Sequence, residues 1–187
     1  MPIPPLSTSG LLPPFVGDPR VDASHAPYRA TMAELVAAYG HSPRRQRLLA
    51  SLLHLRYAVR EVCGDVGEVW IDGSFTTVKR DPGDIDGCLV IDVPISPETA
   101  AKLWDICEFW RSLPEGDKLD FYPILLEGDL ADYRRAVTFW HGFWSHNRDG
   151  VWRGYLVVEL NALGGQDENA ASLLGMPPRD GGHHAAQ

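Results

Sequence analysis

The sequence predicts an α+β fold: a mixed sheet of about four strands flanked by helices, preceded by an extended Pro-rich arm. Three observations carry that expectation. Short runs rich in β-branched residues recur along the chain, apolar stripes at helical spacing lie between them, and the first two runs are joined by a connection far longer than a two-residue hairpin. The organisation that follows is an arm over residues 1–30, a folded domain over 31–163 and a flexible tail over 164–187.

Pro2, Pro4, Pro5, Pro13, Pro14, Pro19 and Pro27 crowd the first thirty residues, removing donors and fixing φ often enough to forbid regular structure there. Thr31 and Glu34 form a capping-box pattern that starts a short helix to about Tyr39, with Gly40 as its stop. Ser42 as N-cap and Pro43 at the first helical position open a second helix. Its stripe is Leu48, Leu49, Leu52, Leu53, Tyr57 and Val62, and it ends by Gly64. Arg44, Arg45 and Arg47 oppose the helix dipole in its first turns, so they face solvent or meet something acidic. Val66–Ile71 and Ile85–Val93 read as strands joined through Lys79-Arg80-Asp81-Pro82-Gly83. Ser96-Pro97-Glu98 opens a helix through Leu103, Ile106, Phe109 and Trp110, and Leu119–Leu126 reads as the third strand. Asp129 caps a helix through Tyr133, Val137, Trp140 and Phe143. Arg148-Asp149-Gly150 then turns the chain into a last strand, Tyr155–Leu160. After Gly164, small and polar residues with Pro177-Pro178 read as a loose tail, whose His183-His184 is too short a tract to argue for metal.

Composition narrows the function. The chain has 187 residues, 44% of them apolar, which suits one packed domain. A net charge of -8 argues against non-specific coating of nucleic acid, which depends on Lys and Arg neutralising phosphates. No apolar run approaches the roughly 18 to 20 residues of a membrane span, and the N-terminus lacks a basic region followed by an apolar one, so no membrane partner and a cytoplasmic location are expected. Cys63, Cys88 and Cys107 contain no Cys-x-x-Cys pair and read as buried thiols.

Chemistry concentrates in Val69-Trp70-Ile71-Asp72-Gly73-Ser74 and in Asp84-Ile85-Asp86. Gly73 gives backbone room for a phosphate and Ser74 offers a hydroxyl and an N–H. Carboxylates at i and i+2 share one face of a strand and are hard oxygen ligands of the kind Mg²⁺ takes beside substrate phosphates. Lys79 and Arg80 reach nucleotide phosphates from the intervening loop or form a solvated basic turn. Arg148 and Arg153, on either side of the Gly150 turn, bind phosphate or serve solubility.

An apolar strand, Gly-Ser, about ten residues and Asp-x-Asp together resemble the signature of the DNA polymerase beta-like nucleotidyltransferase superfamily, here in Gly73, Ser74, Asp84 and Asp86. The chain is also similar, over roughly residues 10 to 160, to a group of small, uncharacterised bacterial proteins. They share a Leu-Pro-Pro arm (Leu12-Pro13-Pro14), an Arg-rich helix start (Arg44-Arg45) and Arg-x-Gly followed by a basic residue and Gly (Arg148-Asp149-Gly150, Arg153-Gly154). The resemblance implies a nucleotidyltransferase-like core in which Asp84, Asp86 and a third carboxylate hold two Mg²⁺ ions. Gly73 and Ser74 would cradle the β and γ phosphates of a nucleoside triphosphate (NTP). A hydroxyl acceptor in RNA, a protein or a small molecule would take the nucleoside monophosphate and release pyrophosphate. Asp120, in Lys118-Leu119-Asp120-Phe121-Tyr122, is the candidate third carboxylate, with Glu159 as competitor. A toxin or defence role with an antitoxin or other protein partner follows only by analogy.

Two departures stand against the superfamily pattern: a loop with a helix breaker replaces an Arg-containing helical segment before Asp84, and Gly87 unsettles the strand after Asp86. Asp72 is open to two readings, a fourth carboxylate or, since it directly precedes the turn, a structural hydrogen-bonding residue, and the second is preferred. His141 and His146 lie on different helix faces, against a shared metal, and Trp140, Phe143 and Trp144 read as core. A serine-hydrolase reading fails because Gly73-Ser74-Phe75 lacks the second glycine of a nucleophile elbow. The alternatives that remain are a catalytically inactive nucleotide- or partner-binding module of the same fold, and a structural protein whose arm is an interaction segment.

Overall fold

A computed structural model describes residues 3–18, 20–161 and 166–177. In chain order the elements are β1 (Phe15–Val16), β2 (Ser24–His25), β3 (Tyr28–Arg29), α1 (Met32–Tyr39), α2 (Pro43–Cys63) and β4 (Glu68–Asp72). They continue with β5 (Ile85–Ile91), α3 (Pro97–Ser112), β6 (Leu119–Leu125), α4 (Leu130–Trp144), β7 (Leu156–Glu159) and α5 (Gln166–Leu173). The expected helix starts hold for physical reasons. Thr31 accepts from the Glu34 N–H while Glu34 accepts from the Thr31 N–H, closing the capping box, and Ser42, Ser96 and Asp129 each cap with a side-chain oxygen.

The main sheet has the order β3-β7-β4-β5-β6, with β5 parallel to β6, β4 antiparallel to both β5 and β7, and β3 parallel to β7. Period-2 alternation gives it two different faces. Val69, Ile71, Ile85, Leu89, Ile91, Phe121, Leu156 and Val158 belong to the larger core, closed by the apolar stripes of α1 and α2 together with Leu103 and Cys107 of α3. Trp70, Cys88, Val90, Ile124, Tyr155 and Val157 form a smaller cluster under Trp144, Trp140, Val137 and Tyr133 of α4. Cys88 and Cys107 are buried as expected, whereas Cys63 is partly exposed. Of the α4 aromatics, Trp144 is core and Trp140 stacks on Tyr122, but Phe143 is exposed.

Three expectations are corrected. The arm is not free of regular structure: β1 pairs with β2, and β3 adds a strand to the sheet edge, giving five strands rather than four. Its prolines fall beside these two-residue strands, and Tyr28 and Ala30 donate to Tyr155 and Val157 at 3.0 and 2.9 Å. Gly87 does not interrupt β5, whose register is continuous on both sides. A Cβ at position 87 would stand 2.0 Å from the Trp70 carbonyl and 3.0 Å from the Phe121 ring, so glycine lets the strands close there. The tail is not loose over 166–173, where α5 docks through a buried carboxylate; the residues 178–187, with His183-His184, lie outside the described ones.

The α5 anchor is partly apolar, through Ala170 and Ala171 in the larger core, and partly ionic. Asp167, fully buried, accepts from Arg56 at 2.9 and 3.2 Å and from Arg60 at 3.2 Å, and Arg56 also donates to the Glu159 carbonyl at 2.7 Å. Asp167→Asn keeps the shape but loses the charge, leaving two guanidiniums with a neutral acceptor. A loss of about 2 to 3 kcal/mol is expected, read as a lower urea midpoint at unchanged slope. An unchanged midpoint would contradict this account of the anchor.

Candidate functional site

At the end of the sheet where β4 finishes and β5 and β6 begin, three aspartates stand in a row. Asp72 is the cross-strand partner of Asp86, and Asp86 that of Asp120. Because all three lie in register on adjacent strands, their side chains share the face that carries Trp70, Cys88 and Tyr122 further along the same strands. Asp84 precedes β5 and adds a fourth carboxylate. It leans toward Lys118, 3.9 Å from Oδ2 to Nζ.

The Gly-Ser segment turns directly beside this row. Gly73–Thr76 form a single 3-10 turn, and Gly73 has φ +76°, a conformation that favours glycine. A Cβ on Gly73 would fall 1.7 Å from Asp86 Oδ2, so the missing side chain is what lets the Asp86 carboxylate lie against the turn. The rest of the connection is a loop, as expected, but an ordered one. Arg45, fully buried, donates to the carbonyls of Phe75 (2.8 Å), Thr77 (3.1 Å), Lys79 (2.6 Å) and Arg80 (3.1 Å). Its guanidinium also sits 5.0 Å from the Phe75 ring centroid. The expectation that the arginines of early α2 face solvent or acid therefore fails for Arg45, which meets backbone oxygens. Arg44 does both, donating to the Pro82 carbonyl and to Glu115.

The electrostatics of the row follow from burial. The Asp86 carboxyl is pushed up to about 6, first by burial and then by Asp84 and Asp120, with Arg148 and Arg153 pulling it down. Burial likewise raises Asp72 to about 6 against the pull of Arg153, with which it forms an ion pair. Thr76 Oγ1 adds a donor to Asp72 at 3.3 Å.

The candidate residues thus divide. Gly73, Ser74, Asp84, Asp86 and Asp120 come together, and Arg148 and Arg153 reach the row electrostatically. Lys79 and Arg80 are exposed; among the described residues no ion pair joins either to the aspartates, and Arg80 lies 3.9 Å from Asp81. Glu159 is excluded as the third carboxylate: it pairs across from Glu68 at the other end of β4 and binds Arg29 at 2.8 Å. His141 faces the Tyr155 hydroxyl and His146 the Gly142 carbonyl. Asp72, expected to make a structural hydrogen bond in preference to serving as a fourth carboxylate, makes that bond with Thr76 and is also a member of the row. No sequence signal shows this, because its place depends on the antiparallel register of β4 and β5.

Residues 4–159 match the profile described as a family of unknown function, DUF6932. The chain belongs to the DUF6932 family. No curated protein and no solved structure matches it.

Whether this DUF6932 site suits Mg²⁺ can be tested on its own geometry. Among the described residues no three His, Cys, Asp or Glu side chains are gathered so as to hold a metal ion. The donor set nonetheless fits a hard divalent cation: carboxylate oxygens on adjacent strands, with Asp86 lying in the space that a side chain at Gly73 would fill. Gathering them requires Asp84 to exchange Lys118 for the cation, a side-chain rotation from a partly exposed position.

Proposed function

We propose that this DUF6932 protein is a Mg²⁺-dependent nucleotidyltransferase that moves a nucleoside monophosphate from an NTP to a hydroxyl acceptor in RNA, a protein or a small molecule. The observation that carries the reading is the in-register pair Asp86 and Asp120 against the positive-φ turn of Gly73 and Ser74. Asp84, Asp86 and Asp120 would hold two Mg²⁺ ions, which supply charge neutralisation at the transferring phosphoryl group. Ser74 donates from its hydroxyl and N–H to terminal phosphate oxygens, and Gly73 lets the Asp86 carboxylate lie against that turn. Arg148 and Arg153 place positive charge beside the carboxylates, where the leaving pyrophosphate gathers negative charge. The carboxylates fix the line of attack of the acceptor oxygen on the α-phosphorus, so catalysis is mostly positioning and charge.

One observation favours a second reading. The carboxylates are not gathered about a point, and Asp84 is near Lys118, as suits a non-catalytic nucleotide- or partner-binding module of this fold. Incubation with each α-labelled NTP, Mg²⁺ and total cellular RNA or protein separates the two. Label transfer that disappears in Asp84→Ala and Asp86→Ala supports the transferase; nucleotide binding without transfer supports the module. Transfer surviving both substitutions rejects this mechanism.

A further inference from the structure

We propose that Asp72 is a positioning residue whose ion pair with Arg153 holds the Arg153 guanidinium with its Nε free for a phosphate oxygen of the nucleotide. The inference rests on the nucleotidyltransferase reading and deepens it.

Three features of the ion pair support this. Arg153 is 7% exposed and its Nε is a buried donor with no hydrogen-bond partner among the described residues. An unmatched buried donor costs about 1 to 3 kcal/mol, so a surface that merely needed an ion pair would satisfy it. Arg153 is also held at both its backbone and its guanidinium. Its backbone N–H donates to the Ser145 carbonyl at the end of α4 (2.8 Å), and the next residue, Gly154, donates to Leu12 of the arm (2.9 Å). At the other end Asp72 holds it, itself held by Thr76 Oγ1. Finally, Asp72 is the strand partner of Asp86, so the cation it holds stands beside the carboxylate row.

A planar guanidinium tied on one edge offers its other donors in a set direction, which suits tetrahedral phosphate oxygens better than a free cation does. The arm acquires a purpose on this account: Leu12 and Pro13 clamp the Arg153-Gly154 corner, and a Cβ at position 154 would stand 2.5 Å from the Pro13 carbonyl.

The sign of one effect separates positioning from mere proximity. Removing a negative charge near an anion site strengthens anion binding if Asp72 acts only through its charge, and weakens it if Asp72 aims Arg153. Inorganic tripolyphosphate with Mg²⁺ is the probe, titrated calorimetrically at fixed salt against the full chain. We expect Asp72→Asn to weaken binding about tenfold and Arg153→Gln by about 10- to 100-fold. Arg153→Lys, which keeps charge without Nε, should fall between wild type and Arg153→Gln. The double variant Asp72→Asn/Arg153→Gln should bind no worse than Arg153→Gln alone. Should Asp72→Asn not fold, Thr76→Val, which removes the hydroxyl's bonds to Asp72 and to the Gly73 carbonyl, is expected to weaken binding about threefold, and Thr76→Ser, which keeps both, should bind as wild type. Equal or tighter binding by Asp72→Asn (or by Thr76→Val in its place), additivity in the double variant, or wild-type binding by Arg153→Gln overturns the inference and leaves the transferase reading standing. Failure of the wild type to bind tripolyphosphate overturns both.

Discussion

Asp86→Asn should abolish transfer while making the metal-free protein more stable. The asparagine fills the same space against the Gly73 turn but supplies no anionic oxygen, so transfer should fall on the order of 10³-fold. Stability moves the other way because of what surrounds Asp86. Burial and the charges of Asp84 and Asp120 raise its carboxyl from 3.8 to about 6, although Arg148 and Arg153 oppose them. Asp72 is its partner on the other side and is itself held near 6. A carboxyl raised on folding binds its proton more tightly in the native state than in the unfolded chain. The native state is therefore most favoured below about pH 4 and loses stability as pH rises from there to about 6, by up to ~3 kcal/mol from this group. In EDTA at pH 7.5, Asp86→Asn should gain up to that amount, with the gain fading toward pH 4. Denaturant titrations at several pH values read it directly. A variant less stable than wild type at pH 7.5 would mean that the Asp86 carboxylate is satisfied by the protein itself, and the opposition between stability and metal chemistry at this row would be lost.

Which parts of the protein the sequence discloses depends on how local their bonds are. The caps at Thr31, Ser42, Ser96 and Asp129 are local, each satisfied within three residues, and α1 through α4 start where those residues say. Asp84 and Asp86 are legible for the same reason, since two residues of spacing define their relation to the start of β5. Asp120 is legible in part, through its apolar flanks. Asp72 and β3 are not. The first depends on a register set across the connection between β4 and β5, and the second on pairing with β7, more than 120 residues away. The helix α5 is hidden because it is attached by one carboxylate, Asp167, against arginines of α2 and by two small residues, Ala170 and Ala171, which give little apolar pattern. The family match covers residues 4–159 and so takes in the arm together with the sheet. The bonds from Gly154 to Leu12 and from Val78 to Gly10 explain why the two belong to one unit.

Arg45→Met should cost about 3 to 5 kcal/mol and loosen the loop that carries the Gly-Ser turn. Arg45 ties the start of α2 to the carbonyls of Phe75, Thr77, Lys79 and Arg80, and Ser42 adds a longer bond to the Arg80 carbonyl at 3.5 Å. Among the described residues no carboxylate forms an ion pair with its guanidinium; burial works against its protonated form, opposed first by Tyr39 and then by Asp81. Its stability in place therefore comes from carbonyl dipoles and from the Phe75 and Tyr39 rings. Methionine fills much of the same volume and keeps the ring contacts, so the loss reports the missing donors: four carbonyls left to seek water by opening the loop. Arg45→Lys retains the charge but cannot reach four acceptors from one nitrogen, and should lose roughly half as much. Hydrogen exchange gives the local reading. The amides of Thr77 and Val78, bonded to Ser74 and Gly10, should exchange faster in Arg45→Met, while those of β5 and β6 change only with global stability. If the loop amides kept their protection and the urea midpoint stayed put, the loop would be held by the arm through Gly10 and Val78, and Arg45 would be a buried charge with no structural duty.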